Sequence, residues 1–131
     1  MNRLPASDLF LPSGALFALL SVAAGAFGAH GLRATLEPRM LEIFATAAQY
    51  QMYHALALIV VGMLLRSCDY KPRLLLVAGW SFIVGILVFS GSLYCLAVFN
   101  SPRLGMITPI GGLSFMLGWA ALFVASIRKS V

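Results

Sequence analysis

Charge is scarce in this sequence. Only 10% of its 131 residues are charged, four of them acidic, against 61% hydrophobic residues. Soluble domains carry about a quarter charged residues, so the composition argues against a soluble fold. Cysteine is scarcer still. Cys68 lies in a short polar connection and Cys95 inside an apolar run, which gives neither a disulfide framework nor metal-ligand spacing, and both read as free thiols. There are two histidines, His30 and His54, and no carboxylate inside any apolar run. A structural zinc site therefore lacks ligands, a carboxylate proton relay lacks its carrier, and a bis-histidine haem would need both imidazoles in one central cavity. No G-x-S-x-G elbow, P-loop or H-E-x-x-H helix is present. No catalytic residue, cofactor or metal is assigned, and the expectation is a protein that is not an enzyme. The net charge of +5 comes from basic residues standing singly or in short groups between apolar runs rather than on one face. That pattern predicts no nucleic-acid partner and points to membrane topology instead.

What the chain has in abundance is apolar length. Crossing about 30 Å of hydrocarbon takes roughly 20 residues at 1.5 Å each. Four runs meet that requirement: Ser13 to Leu32, Ile43 to Leu65, Leu74 to Phe99 and Met106 to Ile127. The segments between them hold nearly all internal charges together with Pro38, Pro72 and Pro102, which read as helix breakers, whereas Pro109 sits in the first turn of the fourth run, where proline is tolerated. Short loops imply antiparallel neighbours. The expectation is a single all-α membrane domain, a four-helix antiparallel transmembrane bundle. Arg3, Arg66, Lys71, Arg73, Arg128 and Lys129 fall on one side, and Arg33, Arg39 and Arg103 on the other with Glu37 and Glu42. The positive-inside rule then places both termini in the cytoplasm. A cleaved signal peptide is the alternative for the first run, with small residues around Ala24, Ala26 and Ala29, but the apolar stretch exceeds the 7–15 residues usual for such a segment.

Helices in lipid associate through close backbone approach at small residues. Gly14, Ala18, Ser21, Gly25 and Gly28 lie on one face of the first run, and Gly111, Ser114, Gly118, Ala121 and Ala125 on one face of the fourth. Phe115, Leu117, Trp119, Leu122 and Phe123 are expected to point elsewhere, some toward lipid. Seven-residue seams of Ala48, Ala55 and Gly62 and of Ala78, Gly85 and Ser92 mark the second and third runs. A compact left-handed bundle is the expected outcome.

Polar groups inside the membrane are costly, and here they gather at one depth. In the expected topology His30, Gln49, Gln51, His54, Ser90, Ser92, Tyr94 and Thr108 share the outer leaflet, while the inner halves are apolar apart from Ser81 and Ser126. Gln51 and His54 share a helical face, and Gln49 and Tyr53 face the other way. A polar pocket around His54, with Gln51, Ser90 or Ser92, Tyr94 and Thr108, would hold a lipid headgroup or a partner helix. The plainer reading makes the same side chains interhelical hydrogen bonds, and His30 a residue reaching the headgroups.

Four stretches carry a resemblance. Gly25-Ala26-Phe27-Gly28-Ala29-His30-Gly31-Leu32, Tyr50-Gln51-Met52-Tyr53-His54-Ala55-Leu56-Ala57, Phe89-Ser90-Gly91-Ser92-Leu93-Tyr94-Cys95-Leu96 and Thr108-Pro109-Ile110-Gly111-Gly112 together resemble the YgdD-type family of small bacterial inner-membrane proteins. The resemblance runs from about Gly14 to Arg128. It implies a multi-pass protein of the bacterial inner membrane and carries a domain-of-unknown-function label rather than a reaction. Its motifs coincide with His30, Gln51, His54, Ser90, Ser92, Tyr94 and Thr108. The functional expectation is an accessory or scaffold protein with a lipid ligand, a membrane-protein partner or a second copy of itself. The alternatives are an oligomeric small-solute or proton transporter and a haem or quinone redox protein.

Overall fold

The computed structural model describes residues 5–67 and 73–128. Arg3, Cys68, Lys71, Pro72 and Lys129, used above for topology, redox state or helix breaks, lie outside the described residues. Four helices are long and apolar enough to cross a membrane, and no strand occurs among the described residues. They are α1 (Pro5–His30), α2 (Pro38–Ser67), α3 (Arg73–Phe99) and α4 (Thr108–Ile127), with a 3₁₀ turn at Pro102–Met106 leading into α4.

The helix ends differ from those expected, and the reasons are local. α1 starts eight residues before Ser13 and runs through Pro12, whose missing N–H removes a helical hydrogen bond. Phe10 supplies the compensation. It is fully buried, lies against the backbone of Gly79 and meets Trp80 edge-on at 5.5 Å, so tertiary packing holds a turn that local propensity would not. Pro38 begins α2 rather than breaking the chain, because the first turn has N–H groups to spare. α3 ends at Asn100, which takes the left-handed conformation (φ 47°) and donates its N–H to the Leu96 carbonyl. Within α3 the segment Ile86–Ser90 is a π turn, closed by the Gly91 N–H on the Ile86 carbonyl.

α2 is the most buried helix and lies at the centre. Against it packs α1. A Cβ at Gly14 would sit 2.8 Å from the Ala55 carbonyl oxygen, and one at Gly62 would sit 2.8 Å from the Leu11 nitrogen. Farther along, Ser21 donates to the Ala48 carbonyl at 2.6 Å, and Gly28 faces the Phe44 ring. α3 and α4 join differently. Phe115 fills the notch at Gly85, Phe82 the notch at Gly118, and the Phe89 backbone lies against Gly111. Ser114 adds a hydrogen bond to the Ser81 carbonyl at 2.7 Å. Phe115, expected to point away from the small-residue face, is thus a core residue, because the facing glycine leaves room for a ring. Phe10, Leu58, Val61, Phe82, Ile86 and Phe115 belong to one continuous core.

Candidate functional site

Gln51 with Tyr94, Ser90, and Ser92 with Thr108 make three separate joints, and His54 belongs to a cluster of rings. Gln51 ties three helices together: its amide N–H donates to the Phe17 carbonyl of α1 at 2.8 Å, and its oxygen accepts the Tyr94 hydroxyl of α3 at 2.7 Å. Ser90, fully buried at the end of the π turn, donates to the Ala47 carbonyl at 2.8 Å. The wide turn brings that hydroxyl to α2. Ser92 and Thr108 share a hydrogen bond of 2.7 Å across α3 and α4, and Ser92 also donates to the Phe89 carbonyl.

His54 stands apart from these three. Its Nδ1 lies 2.6 Å from the Tyr50 carbonyl, which can only accept, so the proton is on Nδ1. Nε2 then accepts the indole N–H of Trp119 at 3.0 Å. The imidazole stacks on Phe115 with 3.5 Å between ring centres, and Tyr50 and Phe89 extend the cluster. Both nitrogens are engaged, which leaves no lone pair for a metal. Among the described residues no group of three potential metal ligands comes together. His30 is exposed at the end of α1, away from this cluster. No buried side-chain nitrogen or oxygen among the described residues lacks a partner. Trp119 was not singled out as polar in the sequence, and no spacing on α4 signals that it reaches α2.

A groove of about 710 Å³ opens elsewhere, between α1 and α2 on the half nearest their connecting loop. Its walls are mostly small or apolar: Ser21, Val22, Gly25, Gly28 and Ala29 from α1, and Leu41, Phe44, Ala45, Ala48 and Met52 from α2. Arg33 and Glu42 stand at the loop end, and Gln49 and Tyr53, hydrogen-bonded to each other, line it deeper down. Gly25 shares a helical face with Gly14 and Ser21, yet a Cβ built on it meets nothing within 4 Å. It borders open space rather than a neighbouring helix. A second groove of about 520 Å³ runs along the other flank of α1, lined by Phe17, Phe27, Phe44, Gln51, Ile86 and Tyr94 among others. Of the polar residues singled out in the sequence, Gln51 and Tyr94 border this second groove and His54 borders an aromatic cleft between α2 and α4. The larger groove was missed. Its one sequence signal was the pair Gln49 and Tyr53, one turn apart on the opposite side of α2 from Gln51 and His54.

The family model described as protein of unknown function (DUF423) matches residues 24–112, which include every polar residue of the larger groove except Ser21. The chain belongs to the DUF423 family. Curated relatives extend the match to nearly the full length. The chain is 43% identical over 120 residues to the UPF0382 membrane protein YwdK of Bacillus subtilis, covering 92% of this chain and 97% of the relative. It is 42% identical to a UPF0382 membrane protein of Staphylococcus aureus, with 92% and 96% covered. No solved structure matches. The DUF423 assignment agrees with the resemblance read from the four sequence stretches: a family of small membrane proteins with no assigned activity. The described helices fit that family as an all-helical bundle with four candidate spans.

Proposed function

We propose that this DUF423 protein is a non-enzymatic accessory or scaffold protein of the bacterial inner membrane, a single integral domain that seats a phospholipid between α1 and α2. The helices run antiparallel with both termini in the cytoplasm. Support for the antiparallel arrangement comes from the contact order, since Leu11, Gly14, Ser21 and Gly28 meet Gly62, Ala55, Ala48 and Phe44 in turn. The Lys and Arg distribution supports the orientation. Arg66 and Asp8, 3.6 Å apart, join the two helix ends assigned to the cytoplasmic side.

In this reading Gln51, His54, Ser90, Ser92, Tyr94 and Thr108 are joints. Each makes a hydrogen bond to a neighbouring helix, which fixes the bundle and leaves the lateral groove as the place for a guest. His30 reaches toward the headgroups from the end of α1. The observation that carries the proposal is the open groove at Gly25, mostly apolar along its length and charged only at its end. A membrane lipid has that same division.

The test is native mass spectrometry of the protein released gently from its own membrane, beside Gly25→Leu, which fills the groove without meeting another residue at its Cβ. Retained phospholipid that disappears in Gly25→Leu is the expected result. A lipid-free protein, or the same lipid load in the variant, would overturn it. A co-released small membrane protein in place of lipid would reassign the groove to a partner helix.

A further inference from the structure

We infer that the α1–α2 groove selects a phospholipid whose headgroup carries both a phosphate and a primary ammonium, with Arg33 on the phosphate and Glu42 on the ammonium. This rests on the lipid reading of the groove and goes beyond it by naming the headgroup.

The argument starts from the two charges. Arg33 and Glu42 come from opposite walls, one just beyond α1 and the other in the first turns of α2, and both line the same opening. Opposite charges so placed would ordinarily pair. Among the described residues the one ion pair is Asp8 with Arg66, so Arg33 and Glu42 are not joined to each other. An anionic headgroup without an amine would satisfy the guanidinium and be repelled by the carboxylate. A headgroup carrying both charges satisfies both walls, and guanidinium–phosphate contacts are charge-assisted and often bidentate.

Depth agrees with this. Glu42 and Gln49 are seven residues apart, about 10 Å along the helix axis. The headgroup layer is only some 5–8 Å deep on each side of the hydrocarbon. With Glu42 among the headgroups, Gln49 therefore lies at the top of the acyl chains. Tyr53 accepts from the Gln49 amide and keeps its own hydroxyl proton for an ester carbonyl. Between the levels of Glu42 and Gln49 lie Gly25 and Ala48, small enough for the lipid to lie against them.

The experiment uses the full-length protein in nanodiscs made of equal parts phosphatidylethanolamine and phosphatidylglycerol with the same acyl chains, read by native mass spectrometry. The wild type is expected to retain phosphatidylethanolamine in excess. Glu42→Gln should reduce that excess roughly two- to fivefold, the size expected of an exposed charge contact, without emptying the groove. Arg33→Gln should lower retention of both lipids. Glu37→Gln, in the same loop but outside the groove lining, should leave the ratio unchanged. A preference for phosphatidylglycerol, or an ethanolamine preference indifferent to Glu42→Gln, would overturn the headgroup assignment while leaving a lipid groove in place. Loss of all bound lipid in the wild type would remove both.

Discussion

The pair α1–α2 and the pair α3–α4 have the same small-residue spacing on their outer helices and use it in opposite ways. On α4, Gly111 and Gly118 face the backbone of Phe89 and the ring of Phe82, and Gly85 of α3 receives Phe115 in return. Each notch is filled. On α1, Gly14 meets α2 backbone at one end, but toward the loop Gly25 faces no atom within 4 Å and the helices part around the groove. The difference lies in the facing residues. Opposite α4 stand phenylalanines, whereas along the groove α2 offers Ala45 and Ala48, and its rings Phe44 and Tyr53 leave Gly25 uncovered. At Gly111, Gly118 and Gly85 a ring or backbone fills the notch, as Ile59 and the Ala55 backbone do at Gly14; at Gly25 nothing on α2 fills it, and a groove is left.

Substitutions along the two pairs should separate these behaviours. The largest effect is expected at Gly111→Ala, whose Cβ would run into the Phe89 nitrogen, a backbone atom that cannot rotate away. A loss of about 3 kcal/mol is expected in reversible unfolding in mixed micelles, at the upper end for overpacking. Gly14→Ala should follow with about 2 kcal/mol, because its Cβ falls 2.7 Å from the Ile59 side chain and 2.8 Å from the Ala55 carbonyl oxygen. Equal stability of Gly14→Ala and wild type would mean that the closed end of α1–α2 is no tighter than its open end. Gln51→Leu removes the partner of both the Phe17 carbonyl and the Tyr94 hydroxyl, and about 1 kcal/mol is expected from interhelical hydrogen bonds in lipid. The smallest effect belongs to Gly25→Leu: stability unchanged within about 0.5 kcal/mol, as for a surface site. A large loss there would show the groove to be closed in the membrane.

Much of this architecture was legible from spacing. Four apolar runs become four helices, and the seven-residue series Gly14, Ser21, Gly28 and Ala48, Ala55, Gly62 lie where α1 meets α2, because helical phase follows from sequence alone. Spacing could not show what stands opposite. Gly25 shares the phase of Gly14 yet borders a void, and Phe115, expected to point away from the small-residue face, stacks on His54. Nor could local rules extend α1 through Pro12, since the compensation comes from Phe10 against Gly79 on another helix. The polar residues around His54 were singled out by their shared depth. Their separation into Gln51–Tyr94, Ser90–Ala47, Ser92–Thr108 and His54–Trp119 depends on rotations between helices that no single-helix pattern contains.

The π turn in α3 makes the helices unequally tolerant of length change. Dropping one residue from a regular helix turns everything beyond it by about 100°, which would face a buried seam into lipid. At Ile86–Ser90 the backbone already holds one residue more than an α turn requires. Losing a single residue there would restore an ordinary turn and leave Gly85 on one side and Ser92 on the other oriented as they are. Within the described helices, this is the segment where an in-frame deletion of one codon should be survivable.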